Sequence, residues 1–339
     1  MSTGTTGMPA PGTVPGPDPI TPSSTSGGTA RRGDRVFLGL SATAGVSLLV
    51  IIGAITVFLV SEAVPSLQSN TVNFLTEKRF LPEPESPGQE VVFGIAALAY
   101  GTVVSSLIAL LLAVPVAIGV ALFITQYAPR RIAGFLGYLV DLLAAVPSVV
   151  YGLWGLAYLN SKIIPTSDFL NSTLGFLPFF GDTGGVYGRS LFLAGVVLAI
   201  MILPIIAALS REVFLQVPSG NREAAFALGA TRWEMIRMAV LPFARPGVTS
   251  AVMLGLGRAL GETIAVALVL LSNPVISVKV LGPGGGSIAA NIANKFSEYG
   301  EVGRGALIAS GLVLFVITLV VNLAARGIVY RSTRKLKVT

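Results

Sequence analysis

The sequence predicts an all-α, polytopic integral membrane protein with about six transmembrane helices. Of its 339 residues, 53% are hydrophobic and only 12% are charged, whereas soluble domains carry about 25% charged residues. The apolar residues form blocks of roughly 20 to 26 residues, long enough to cross a hydrocarbon layer of about 30 Å as helices. The chain contains no Cys and no His, which excludes disulfides, thiolate metal sites and enzymes of the Cys–His or Ser–His–Asp type.

The N-terminal residues differ from the rest in composition. Residues 1–30 contain 23 Gly, Pro, Ser or Thr, and such a segment cannot bury enough apolar surface to offset the entropy lost on ordering. We therefore predict a disordered cytoplasmic tail over residues 1–33 and a transmembrane domain over residues 34–339. The first apolar block, 36–60, follows basic residues as in a signal peptide, but it is too long for one. It is predicted to be a retained helix.

Five further apolar blocks complete the predicted spans. Backbone polar groups in lipid must be satisfied within the segment, so each block is expected to be helical. The blocks cover about 100–125, 133–158, 190–215, 247–272 and 305–328.

Lys and Arg are unevenly distributed between the two sets of loops. Of the 23 basic residues, 15 fall on the side that carries both termini, seven fall on the other side, and Arg258 lies within a span. Because cytoplasmic loops carry an excess of Lys and Arg, both termini are predicted to be cytoplasmic. An even number of spans fits this prediction, because it puts both termini on the same side of the membrane.

The segment 217–247 reads VPSGNREAAFALGATRWEMIRMAVLPFARPG and predicts two short helices joined by a turn. A Pro-Ser pair can open the first helix, and Gly229 can end it in the left-handed conformation. Thr231 and Glu234 have the spacing of a capping box that starts the second helix. The second helix is predicted to end before Pro242.

This segment resembles the EAA loop of bacterial ABC-importer permeases, with Ala239 where that family usually has Ile. From its own residues, the loop is expected to dock closely against another surface through Ala224, Ala225 and Phe226. The resemblance implies that the loop, at about 217–245, couples the chain to a cytoplasmic ATPase. The matching residues are Glu223, Ala224, Ala225, Gly229, Leu241 and Pro242. The structural alternative is an ordinary surface loop with helical caps. No G-x-x-x-x-G-K-[ST] occurs in the chain, so ATP and Mg are expected on a partner subunit, with no cofactor on this chain and no enzymatic role for it.

Three ionisable residues lie within the predicted spans: Asp141, Arg258 and Glu262. Each costs about 2.5–3.5 kcal/mol on insertion scales, so each should face protein or water. Arg258 follows Pro246 by about 18 Å of helix, near the membrane midplane, and Glu262 is expected on the same helix face one turn further on. Two interpretations are equally open from the residues. The guanidinium offers planar donors to a tetrahedral oxyanion, or the Arg–Glu pair fixes only helix packing.

Other residues in these spans have structural interpretations. Gly257 and Gly261 form a G-x-x-x-G pair that predicts close packing by another helix. Asp141 is predicted to be structural, through pairing with a basic residue, with a role in the pathway as the alternative. Pro147 predicts a helix kink, and Pro147 and Ser148 are retained as residues of a structural or pathway role.

The segments Gly257–Thr263 and Val146–Gly152 resemble motifs of the PstC-type permease of phosphate importers. The similarity extends over about residues 35–335 and implies a type I ABC-importer permease fold in the inner membrane of a bacterium. It also implies that Arg258 and Glu262 take part in phosphate passage. The implied partners are a PstA-like second permease, an ATPase dimer and an extracytoplasmic phosphate-binding protein.

Other functions remain open on the sequence. An ABC permease for sulfate, molybdate or another solute would keep every feature except the cargo. An anion transporter that needs no ATPase would explain the spans and Arg258, but would leave the EAA-like loop without a role. A membrane-embedded enzyme is discounted, since the sequence has no His, no Cys and no clustered acids.

Overall fold

The computed structural model describes the backbone of residues 32–83, 90–181, 184–271 and 276–336, with side chains described from 33 to 327 in these ranges. Of the predicted tail, residues 1–31 lie outside the described residues. The first helix begins at Arg32, so the last two residues of the predicted tail are helical.

The described part of the chain is almost entirely helical. Two two-residue strands, which the sequence did not predict, pair in an antiparallel hairpin, and three π-helical turns extend longer helices. The helices are α1 (Arg32–Ser69), α2 (Ala96–Leu122), α3 (Arg130–Ala144), α4 (Ser148–Trp154), α5 (Asn160–Leu174), α6 (Leu191–Leu215), α7 (Ser219–Ala227), α8 (Arg232–Met235), α9 (Leu241–Leu260), α10 (Ile264–Val269), α11 (Ile288–Lys295) and α12 (Glu301–Leu336). The strands are β1 (Phe80–Leu81) and β2 (Val92–Phe93), and the π-helical turns are Phe123–Tyr127, Gly155–Leu159 and Ile236–Val240.

Five helices in the described part are long and apolar enough to cross a membrane, and one bent pair makes a sixth span if counted as one. Each predicted apolar block overlaps one of these six, in the predicted order. The five helices are Gly33–Ser69, Ala96–Tyr127, Leu191–Leu215, Arg232–Leu260 and Glu301–Gly327, and the bent pair is Arg130–Ala144 with Ser148–Leu174. The prediction of an all-α protein with about six spans is confirmed.

The chain divides into two compact units, residues 1–54 and 55–339. The described part of the first unit is a single apolar helix, the stretch 32–54 of α1. Every contact discussed below lies within the second unit.

The centre of the second unit is the pair α2 and α6, its most extensively packed helices. Ala109, Ala113 and Ala117 recur every four residues on α2 and are all buried. On α6, Gly195 lies so close to Ile108 that a methyl group at this position would overlap that side chain. Small residues let helix backbones approach closely in a membrane, so these positions hold the two helices together.

The third predicted span is not a single straight helix. α3 and α4 meet at an angle of 86°. Pro147, at the start of α4, has no N–H to donate and disfavours a helical conformation in the residue before it. Its φ of −60° and ψ of 139° are extended rather than helical. The predicted kink is present, but it is a complete break.

The fifth predicted span begins and ends earlier than expected. The prediction that the second short helix ends before Pro242 is wrong, because one helix runs from Arg232 to Leu260. The π-helical turn Ile236–Val240 comes directly before this proline region, and the widened turn accommodates a residue that cannot donate to the helical ladder. The helix ends at Leu260, and the short α10 follows after a three-residue interruption.

Candidate functional site

The segment 217–245 contains the predicted helix–turn–helix. α7 follows Pro218, and Gly229 adopts a φ of +79°, which Gly tolerates without strain. The backbone N–H of Thr231 donates to the Glu234 carboxylate at 2.8 Å, and the Glu234 N–H donates to the Thr231 hydroxyl at 3.4 Å. This is the predicted capping box. The local turn chemistry is confirmed.

Ala225 faces the chain's own core. It is buried and packs in an apolar cluster with Phe214, Ile236 and Val240. Of the three residues expected to dock closely, Ala225 packs on the chain's own helices and is not available to a partner. This residue instead holds α7 against the transmembrane helices.

The outer surface of α7 and of the turn after it is open. Glu223, Ala224 and Gly229 are exposed. Two large apolar side chains join them: Phe226 is 46% exposed and Leu228 is 87% exposed. Leu241 and Pro242 are half-buried at the start of α9. Large exposed apolar side chains beside small ones are typical of a protein–protein contact surface.

Arg258 is exposed near the end of α9 and lines a groove of about 870 Å³. No ion pair between described side chains includes its guanidinium. The guanidinium lies within electrostatic range of Tyr151 on α4. Its N–H donors are therefore open to a ligand in the groove.

Glu262 is not paired with Arg258. Because α9 ends at Leu260, the predicted placement of these two charges on one helix face is wrong. The Glu262 side chain is buried, and its carboxylate accepts the backbone N–H of Ala265 at 3.2 Å. It thereby satisfies a donor in the first turn of α10 and places negative charge at that helix N-terminus.

The predicted close packing at Gly257 and Gly261 is absent from the described residues. A Cβ atom added at Gly257 would meet nothing within 4 Å, and one added at Gly261 would meet only the Gly257 carbonyl oxygen, at 3.5 Å. Gly261 instead terminates α9. The pattern belongs to a helix end with an open face.

Asp141 has the basic partner that was expected. Its carboxylate accepts a hydrogen bond from Arg211 on α6 at 3.1 Å, and the same guanidinium contacts Glu212 at 2.7 Å. The Arg211 side chain is largely enclosed, and it fits against α3 at Gly137. The pairing ties α3 to α6 and supports a structural role for Asp141.

The motif segment Val146–Gly152 lies against α10, the helix that follows the other motif segment. Gly152 on α4 packs on the backbone of Ala265 in α10, three residues after Glu262. The Tyr151 hydroxyl donates to the Leu143 carbonyl oxygen at 3.0 Å, across the break between α3 and α4. Pro147 is exposed and Ser148 is half-buried at this break. The break thus gives α4 a surface that fits α10.

Arg189 is an important residue that the sequence analysis missed. Its guanidinium donates to the carbonyl oxygens of Leu268, Val269 and Leu270, at 2.5, 3.2 and 3.3 Å. These carbonyls end α10 and have no partner within that helix. No pattern in the sequence links residues about 80 positions apart, so this contact could not be predicted. Among the described residues, no cluster of three or more acidic side chains could hold a metal ion.

Comparison with known proteins gives consistent matches. Residues 103–337 match the family model described as "Binding-protein-dependent transport system inner membrane component". "Phosphate transport system permease protein PstC 2" of Mycobacterium tuberculosis is 48% identical over 302 residues, covering 88% of this chain and 92% of that protein. "Phosphate transport system permease protein PstC" of Xylella fastidiosa is 41% identical over 325 residues, covering 92% and 96%.

A solved structure shares the fold. It is a bacterial ABC transporter involved in the import of the acidic polysaccharide alginate, with a TM-score of 0.50 and 17% identity. The match covers 87% of this chain and 99% of that chain. At this identity the likeness concerns the fold alone.

Proposed function

The chain belongs to the family of binding-protein-dependent transport system inner membrane components, and from that premise we propose that it is the permease subunit of an ABC importer for inorganic phosphate. Its relatives at 41–48% identity carry the name of phosphate transport permeases over nearly their whole length. The observation that carries the proposal is the open guanidinium of Arg258 in its groove, which offers forked donors to an oxyanion.

The partners follow from the same premise. The chain supplies one permease subunit, and a PstA-like second permease completes the pathway. ATP and Mg are used by a cytoplasmic ATPase dimer, which the outer surface of α7 contacts through Ala224, Phe226 and Leu228. An extracytoplasmic phosphate-binding protein delivers the solute. Glu262 acts in the pathway indirectly, because it orders α10, the short helix that follows α9.

Cargo and energy source are tested together by uptake of labelled phosphate into vesicles containing the purified complex. We expect uptake to require ATP and the ATPase subunit, and to be unaffected by a tenfold excess of sulfate or molybdate. A competitor that binds about tenfold more weakly than phosphate would halve uptake at that excess, so unchanged uptake indicates a larger difference in affinity. Inhibition by sulfate at a concentration equal to that of phosphate would contradict the assignment of phosphate as the cargo. Uptake by the chain without an ATPase would support the alternative of an independent anion transporter.

Orientation is a second part of the proposal, with both termini in the cytoplasm. It rests on the excess of basic residues on one side of the chain. Cysteine introduced at Ser69 or Ser172, two exposed positions in the last residues of the spans Gly33–Ser69 and Ser148–Leu174, should react with an impermeant maleimide in intact cells. Cysteine at Ser332 should react only after permeabilisation. Because the native chain has no Cys, it is its own blank, and labelling at 332 in intact cells would reverse the orientation.

A further inference from the structure

The groove that holds Arg258 contains a second guanidinium. α9, α12 and Ile205 of α6 line it, and its polar lining comes from Thr249, Ser250, Arg258, Asn322 and Arg326. No Asp or Glu lines it among the described side chains. A groove with two cations and no carboxylate is a region of positive potential that attracts anions.

Three side chains in the groove, Arg258, Asn322 and Arg326, have N–H groups that can donate hydrogen bonds to a ligand. The Thr249 hydroxyl donates to the Arg245 carbonyl oxygen at 2.8 Å, and the Ser250 hydroxyl donates to that of Pro246 at 3.0 Å. Both hydroxyl protons are thus used within α9. The two guanidiniums and the Asn322 amide remain as donors, the groups that suit an oxyanion with several acceptor oxygens.

Arg326 lies nearer to the helix end than Arg258. At 1.5 Å per residue, Arg258 is about 39 Å along the axis from Arg232, where its helix begins, and Arg326 is about 15 Å from Leu336. In the proposed orientation both of these ends face the cytoplasm. Asn322 precedes Arg326 by four residues and shares its helix face. The donors therefore extend from the depth of Arg258 toward the cytoplasm.

We propose that Arg326 and Asn322 form an exit station for the transported anion, where it is held after it leaves Arg258 and before it enters the cytoplasm. This inference rests on the proposed function. The ligand is a phosphate-type oxyanion, and we assign it to inorganic phosphate and not to a lipid headgroup. Gly257 and Arg258 line the end of the groove that is farther from the cytoplasm. The groove therefore reaches Arg258, the residue that the proposed function places in the pathway.

The site can be probed without transport. Cysteine in place of Ala325, which lines the groove, is treated with a negatively charged thiosulfonate in the detergent-solubilised full complex. Phosphate should slow the reaction about fivefold at about four times its dissociation constant, because the free fraction falls as 1/(1 + [L]/Kd). The same cysteine combined with Arg326→Gln should lose this protection. Cysteine in place of Thr76, exposed and far along the chain from the groove, should show no protection.

Transport gives the second measurement. Arg326→Gln should lower the maximal uptake rate about tenfold, the effect of losing a hydrogen bond to a charged group, without changing the external phosphate concentration for half-maximal uptake. Arg326→Lys should recover only part of the rate, since it lacks the forked donors. Arg131→Gln removes an exposed charge at the start of α3, on the side predicted to be cytoplasmic, and should leave uptake unchanged. All rates are normalised to assembled complex.

Three outcomes would overturn the exit station. They are an absence of protection by any oxyanion, protection that appears only when phosphatidylglycerol is added, and full uptake with Arg326→Lys. Protection that requires phosphatidylglycerol would identify Arg326 as a lipid contact. Full uptake with Arg326→Lys would identify it as a basic residue that only flanks the transmembrane segment. Protection by sulfate but not by phosphate would support the station and overturn the proposed cargo, so the two failures are distinguishable.

Discussion

Replacement of Arg258 by Gln is expected to reduce uptake of labelled phosphate by about tenfold to a hundredfold. This is the effect of removing one or two charge-assisted hydrogen bonds. Arg258 is exposed in the groove, so the change opens no core and the complex should assemble in normal amounts. Arg258→Lys keeps the charge but loses the forked donors, and should recover transport poorly. The affinity of the extracytoplasmic binding protein should not change, because it is a separate protein.

The double variant Arg258→Gln with Glu262→Gln separates a pathway role from a scaffolding role. If the two charges were a structural pair, removing both would relieve the stranded carboxylate and restore uptake. The structure gives the opposite expectation, since the Glu262 carboxylate already has the Ala265 N–H as its partner. The double variant should therefore be no more active than Arg258→Gln alone. Near-normal uptake per assembled complex would identify the pair as scaffolding.

Aspartate at two adjacent alanines should have opposite consequences. Ala225→Asp places a carboxylate in the apolar cluster under α7, where an unpaired charge costs several kcal/mol. The solubilised chain should become unstable and elute as aggregate in size-exclusion chromatography. Ala224→Asp lies on the exposed surface and should leave the chain monodisperse. It should weaken ATPase association by about tenfold or more, as the loss of a contact at the centre of an interface does.

Each alanine serves as the control for the other, because the substitution is the same and only the direction of the side chain differs. Copurification of the ATPase and the elution profile are measured on the same preparations. If Ala224→Asp retains the ATPase at the native ratio, the outer surface of α7 is not the docking surface. If Ala225→Asp is as stable as the native chain, the packing of α7 on the transmembrane helices is wrong.

The fold class was predictable because a membrane imposes a simple rule on the backbone. Long apolar segments without charge must be helical in lipid, and the helices Ala96–Tyr127 and Leu191–Leu215 lie close to their predicted limits. The breaks were harder to predict. Pro147 signals a kink, but the angle of 86° depends on packing against distant helices. Gly261 was interpreted as a packing residue, whereas it ends α9.

The candidate site divides in the same way. The caps of the EAA-like loop were predictable, because Gly229 and the Thr231–Glu234 pair depend on neighbouring residues. The burial of Ala225 and the continuation of the helix through Pro242 depend on packing and were not predicted. Arg326 joins Arg258 only through the packing of α9 and α12, which no local pattern records. Sequence reasoning therefore selected Arg258 as a candidate site residue but did not predict its neighbours in the groove.

α10 is six residues long, and helices of this length do not hold together alone. Its N-terminal donor is satisfied by Glu262, and its final carbonyls are satisfied by Arg189, which comes about 80 positions earlier in the chain. The negative charge of Glu262 at the N-terminus and the positive charge of Arg189 at the C-terminus also interact favourably with the helix dipole. Contacts of such long sequence separation form late in folding. α10 is thus expected to be among the last elements to become ordered after insertion, because its last carbonyls are satisfied only once Arg189, just before α6, has docked.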